Sequence, residues 1–198
     1  MDNLNVLPNK VIAVAGPMSD RFLSLGIDSF RGACRFVHEL PYGYNSDRDD
    51  PMILFKEEFG SCTTKHAVIA ALAAELDLPV TKVVGIYAMT EDIVAGAGRI
   101  LAKYELPYVP LLHCFLVHGA HRVDLTEDNN NGKKRSIETF LYTQQVVPHI
   151  TARDEYLLYR KALSESILKR GELRGIGIKN ILHAREEGLA LLKANLNP

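Results

Sequence analysis

Cysteine is scarce in this chain and falls into no pattern. The three residues, Cys34, Cys62 and Cys114, form an odd set with no C-x-x-C pair, which argues against a disulfide framework and against a cysteine-rich zinc site. At least one thiol is therefore expected to be free. An excess of basic charge is also missing. Lys and Arg total 23 against 24 Asp and Glu, so no broad positive field exists to hold nucleic acid or an anionic membrane. Long apolar runs are absent as well. The stretch nearest the start, Val11 to Ala15, is too short for a signal peptide or a membrane span, and Met1 to Asn5 carry no basic region. These absences point to a cytoplasmic protein that binds neither nucleic acid nor membrane.

What the chain does have is enough apolar material for a substantial core: 47% of its 198 residues are hydrophobic. One domain over residues 1–198 is the expectation. Val11 to Ala15 reads as a short buried strand or helix fragment closed by Gly16-Pro17, and Asp28 to Leu40 as a helix with an apolar face through Phe30, Ala33 and Val37. Residues 41–51, rich in Pro, Gly, Asn and Asp, form an ordered loop. Thr63 to Leu76 is the strongest helical segment of the first half; its near-continuous apolar run predicts burial on most sides, with Ser61 as cap. Thr81 to Met89 reads as a strand, Glu91 to Tyr104 as a helix, and Leu111 to Val117 with Arg122 to Thr126 as a hairpin about Gly119-Ala120. Residues 127–135 are polar and charged, and are expected to be mobile. Two helices, about Ala152 to Arg170 and Ile178 to Leu196, form a C-terminal extension over 152–196.

Cysteine is nucleophilic only as the thiolate, which a helix N-terminus and a nearby imidazolium favour. Cys62 stands at such a helix start, and the unpartnered first amides there can also donate to an oxyanion. In the hairpin, a turn of two or four residues places His113 opposite Thr126 and Phe115 opposite Asp124. Residues 113, 115, 122, 124 and 126 then share one face. His113 and Asp124 become diagonal neighbours, roughly 7–8 Å apart at the backbone, so the carboxylate can orient the imidazole.

The segments Gly60-Ser61-Cys62-Thr63-Thr64-Lys65-His66, Val84-Gly85-Ile86-Tyr87-Ala88-Met89, His113-Cys114-Phe115-Leu116 and Val123-Asp124-Leu125-Thr126 resemble the transglutaminase-like superfamily. The resemblance covers about residues 30–126. It implies an α+β, papain-like core over about 28–126, with the cysteine on a central helix and His and Asp on an antiparallel sheet. It also implies cysteine acyl chemistry, with Cys62 as nucleophile, His113 as base and Asp124 as the orienting acid. Where the group commonly has an aromatic residue beside the cysteine, this chain has Ser61, and it contains no Trp.

Other residues compete with the triad for a role. His66, one turn beyond Cys62, can lean toward the sulfur as an alternative base, although a structural role in a buried helix suits it better. Tyr44 or Asn45 can supply an oxyanion donor or a substrate contact. A metal cluster of His113, His118 and His121 is disfavoured because His113 lies on the face opposite the other two. Cys34 and Cys114 read as core, and the stripe Tyr156, Tyr159, Leu163 and Ile167 as packing surface. The expected reaction attacks an amide or ester carbonyl of a peptide, protein or small amide, passes through a thioester, and needs no cofactor or metal. The competing reading is a catalytically silent interaction module.

Overall fold

The apolar run after Cys62 forms a helix buried on most of its sides, Cys62–Glu75, the fourth of seven α-helices that the computed structural model places among residues 2–196, the residues it describes. In chain order the helices are α1 (Pro17–Ser24), α2 (Phe30–Glu39), α3 (Ile53–Glu57), α4 (Cys62–Glu75), α5 (Ala97–Tyr104), α6 (Ala152–Glu165) and α7 (Ile178–Ala194). The strands β1 (Val80–Met89), β2 (Val109–His118), β3 (His121–Val123) and β4 (Tyr142–Val146) form an antiparallel sheet in the order β3-β2-β1-β4. The chain thus has the α+β class read from its sequence.

The residues gather into two compact units, each discontinuous in sequence. One comprises the chain up to Val83 with Cys114–Asn129 and Gln145–Thr151; the other comprises Val84–His113, Asn130–Gln144 and the chain from Ala152 onward. In the first, α4 packs against α1, α2 and α3, and its core joins Val68, Ile69 and Leu72 to Phe22, Phe30, Val37 and Leu54. Leu116 and Val123 of the hairpin enter the same core. The helix face expected at Phe30, Ala33 and Val37 is buried as read, with Cys34 beside it. In the second unit, Ile86, Met89, Val109 and Leu111 from β1 and β2 pack with Tyr159, Leu163, Ile181 and Ala184 of α6 and α7.

Several expectations are corrected. Val11 to Ala15 is neither a helix nor a buried strand: Val11 makes one bridge to Ser29, and Val11 and Val14 are 71% and 70% exposed. The next segment forms α1, a helix that the sequence pattern does not announce. Its first amides are satisfied from afar, because Met18 N and Ser19 N donate to the Glu75 carboxylate at 2.9 and 2.7 Å. The segment from Glu91 becomes helical only at Ala97. Gly96 is left-handed at φ 85°, and Glu91 folds back to accept from Gly96 N and Gly98 N instead of joining the helix. Those amides hold the Glu91 carboxyl down at about 2. The sixth helix stops at Glu165, where Ser164 Oγ bonds back to Arg160 O and Lys161 O, and two short 3-10 turns follow. Residues 127–135 do have anchors: Asn131 is buried, Asn129 bonds the end of α2, and Lys134 N donates to Ile93 O at 2.8 Å. In the C-terminal stripe Tyr159, Leu163 and Ile167 are buried, whereas Tyr156 stays at the surface.

Candidate functional site

The start of α4 is built by the loop that precedes it. Tyr42 bridges Gly60 in parallel, and Gly60 N donates to Pro41 O at 3.1 Å, so the loop runs alongside the approach to Cys62. A side chain at Gly60 would force its neighbours to shift: a Cβ would press into Leu54 and lie 2.6 Å from Thr64 Oγ1. Ser61 occupies the N-cap with extended backbone, but its hydroxyl makes no capping bond. Instead the Tyr42 hydroxyl is hydrogen-bonded to both the amide and the thiol of Cys62. The rings of Tyr42 and Tyr44 meet edge to face at 6.0 Å, and their hydroxyls are bonded to each other. Burial, then the neighbouring Cys62 and Tyr44, hold Tyr42 well above the ordinary phenol range. Burial and Cys62 likewise push Tyr44 up to about 12. Both phenols are therefore protonated at neutral pH. Cys62 itself is 9% exposed.

Asn45 is spoken for. Its Nδ2 donates to Glu57 Oε2 at 2.9 Å and Phe59 O at 2.8 Å, and its Oδ1 accepts from Thr64 Oγ1 at 2.7 Å. Both amide hydrogens are used, on Glu57 of α3 and on the Phe59 carbonyl, and the oxygen braces the loop against α4, which leaves no hydrogen for an oxyanion.

One residue of the first turns of α4, His66, ties Cys62 to the turn at Asp124, and its neighbour Lys65 anchors the helix to other segments. His66 Nδ1 lies 2.6 Å from Cys62 O, and Leu125 N donates to His66 Nε2 at 2.8 Å. Since a backbone amide can only donate, Nε2 is the acceptor and Nδ1 carries the proton given to Cys62 O. Both nitrogens are engaged with backbone, which makes His66 a brace and not a base. Asp124 Oδ1 lies 3.4 Å from His66 Nε2 and accepts from Thr126 N and Thr126 Oγ1 at 2.8 and 2.7 Å. Next to His66, Lys65 is fully buried. Its Nζ donates to His38 O at 3.2 Å, to Asn129 Oδ1 at 2.6 Å and to Leu40 O, three acceptors for three hydrogens. Burial lowers Lys65 to about 8 while the charge of Asp124 opposes it, so the ammonium persists at neutral pH.

The hairpin has the expected two-residue turn, with Gly119 at φ 57°, and the register Leu116↔Val123, Val117↔Arg122 and His118↔His121. That register puts Phe115 and Arg122 on one face, where the guanidinium lies 5.7 Å from the ring centroid. His113 shares this strand and alternation, is buried, and is the residue at which the second unit's stretch of β2 ends. Cys114 takes the other face, its Sγ 3.7 Å from Thr63 Oγ1. Pairing ends at Val123, so Asp124 opens a turn beyond the ladder instead of continuing the strand. Burial pushes the Cys34 thiol far above its usual value.

Within the first unit, then, Cys62, His66, Asp124 and Tyr44 are joined by short links, and Tyr42 and Lys65 are the members that sequence reasoning passed over. A lysine inside an otherwise apolar helix was the available signal for Lys65. Among the described residues, no three His, Cys, Asp or Glu side chains gather closely enough to hold a metal ion, and no helix is long and apolar enough to cross a membrane. In comparisons with protein-family models, curated proteins and solved structures, nothing matches the chain.

Proposed function

We propose that the chain performs cysteine-dependent acyl chemistry on a peptide, protein or small amide, in a papain-like, transglutaminase-like core. The observation that carries this reading is the setting of Cys62: the first residue of a buried helix, its amide and thiol bonded to the protonated phenol of Tyr42, with His66 linking its carbonyl to the Asp124 turn. The thiolate attacks the carbonyl carbon, the carbonyl oxygen becomes an oxyanion, and His113 takes the thiol proton and delivers it to the leaving amine. Asp124 orients His113. The oxyanion takes the place of the Tyr42 oxygen at the Cys62 amide, and the displaced hydroxyl donates to it. Water then releases the acyl group in hydrolysis, or an amine does so in transfer; with no amine site identified, hydrolysis is the favoured outcome.

The test is the rate of iodoacetamide labelling at each cysteine against pH, read by mass spectrometry, in the native protein and in His113→Ala. Fast labelling of Cys62 alone below a pH of about 8.5, lost in His113→Ala, is the expected result. Labelling of Cys62 no faster than that of Cys34 or Cys114 overturns the proposal. One observation favours the second reading, a catalytically silent interaction module: the Cys62 thiol is covered, with Tyr42 bonded to it. Inert Cys62 is the outcome that reading requires.

A further inference from the structure

Thr126 is fully buried, and its amide and its hydroxyl reach the same atom. They donate to Asp124 Oδ1 at 2.8 and 2.7 Å, so one carboxylate oxygen is held from two directions. The amide bond is the one an aspartate commonly accepts from the second residue after it in a turn. The hydroxyl is the addition, and a side chain of equal volume without it, valine, would fill the same space.

The surroundings of Asp124 show what that addition does. His66 Nε2, 3.4 Å from Oδ1, accepts from the Leu125 amide, so it is itself an acceptor and gives the carboxylate no proton. Two acceptors so placed repel. Lys65 brings positive charge to Asp124, but its three hydrogens go to His38 O, Leu40 O and Asn129 Oδ1. It attracts the carboxylate without setting its rotation. With only 10% of the Asp124 side chain exposed, water has little room to set it either. Of these neighbours, Thr126 is the one that fixes where Oδ1 lies.

We infer that Thr126 is a positioning residue for the acyl chemistry: its two donors on Oδ1 fix the rotation of the Asp124 carboxylate, and through it the imidazole that Asp124 orients. The inference rests on the roles proposed above for Cys62, His113 and Asp124.

The experiment is the pH dependence of iodoacetamide labelling at Cys62 in the full chain, read by mass spectrometry. Thr126→Val removes the hydroxyl at equal volume and is expected to raise the labelling midpoint by about one pH unit, an approximately tenfold loss of rate below it. Thr126→Ser keeps the hydroxyl and is expected to hold the midpoint within about 0.2 of native. In an Asp124→Asn background Thr126→Val is expected to add no shift, because Thr126 acts only through that carboxylate. The native protein gives a readout that needs no variant: the NMR signal of the Thr126 amide is expected to shift with pH at the Cys62 midpoint. An unmoved midpoint in folded Thr126→Val, a full further shift in the Asp124→Asn background, or an amide indifferent to that titration overturns the inference. His113→Ala in the same assay separates the two failures: if it still slows Cys62 labelling, the proposed roles stand without Thr126, and if it does not, both fall.

Discussion

At the scale of single residues, the question is what else claims the atoms of Cys62. Tyr42 does, through both the amide and the thiol. On the proposed acyl chemistry, removing that hydroxyl frees the sulfur and deprives the oxyanion of a donor, so labelling and turnover are expected to separate in Tyr42→Phe. Alkylation of Cys62 rises about tenfold, the equivalent of one hydrogen bond, and acyl turnover falls. Labelling by mass spectrometry and a turnover assay on the same preparation check this; movement of both in one direction contradicts it. Lys65 is the other residue with a sharp expectation. Lys65→Met leaves the carbonyls of His38 and Leu40 to Asn129 alone, and should destabilise the fold by about 2 kcal/mol in urea unfolding.

At the scale of elements, the entry to α4 makes a paired prediction. Ser61→Ala should change stability by less than about 0.5 kcal/mol, because the serine fills the N-cap without a capping bond. Gly60→Ala should cost about 1–3 kcal/mol, because the methyl has Leu54 and Thr64 in its way. Denaturant midpoints of the two variants decide it, and a costly Ser61→Ala would show that the hydroxyl does cap the helix in solution. The elements that could be read from sequence were those whose cause is local. Phe30, Ala33 and Val37 repeat at helical spacing, the apolar run after Cys62 needs no partner to declare itself, and Gly119-Ala120 sets the hairpin register. The rest depended on distant chain. The first helix is capped by a carboxylate at position 75, and Glu91 abandons a helical pattern to bind two amides ahead of it. The Asp124 carboxylate bonds the backbone of Thr126, which draws the chain into a turn one residue before the anticipated diagonal pair could form within the ladder. The burial of Lys65 beneath three acceptors from two other segments has no sequence signature beyond its presence in an apolar run.

At the scale of the whole molecule, the shifted groups predict how stability responds to alkaline pH. Lys65 titrates at about 8 in the folded chain and 10.5 unfolded, so between those values the unfolded state holds a proton that the folded state has released. Stability from this group therefore rises with pH across that window, by up to about 3 kcal/mol. Tyr44 acts in the opposite sense. Its folded value of about 12 lies above the ordinary 10.0, so stability is lost as pH climbs from 10 toward 12. Urea unfolding measured from pH 7 to 11 should show a rise and then a fall, with the rise missing in Lys65→Met. A flat native profile between pH 8 and 9, below the range in which Cys34 and the buried tyrosines act in the opposite sense, would refute the assignment.

The interleaving of the two units sets an order on synthesis. The surroundings of Cys62 draw on residues 114–129 and 145–151 as well as on the chain before Val83. A ribosome therefore releases the helix of Cys62 well before it has made the turn that braces it, or the segment carrying Pro148 and His149. Until then Tyr42 has been made, but there is no Asp124, no Leu125 amide for His66 and no Asn129 for Lys65. The nascent chain is thus exposed to oxidation and stray acylation at Cys62, and only completion of the later segments closes that interval.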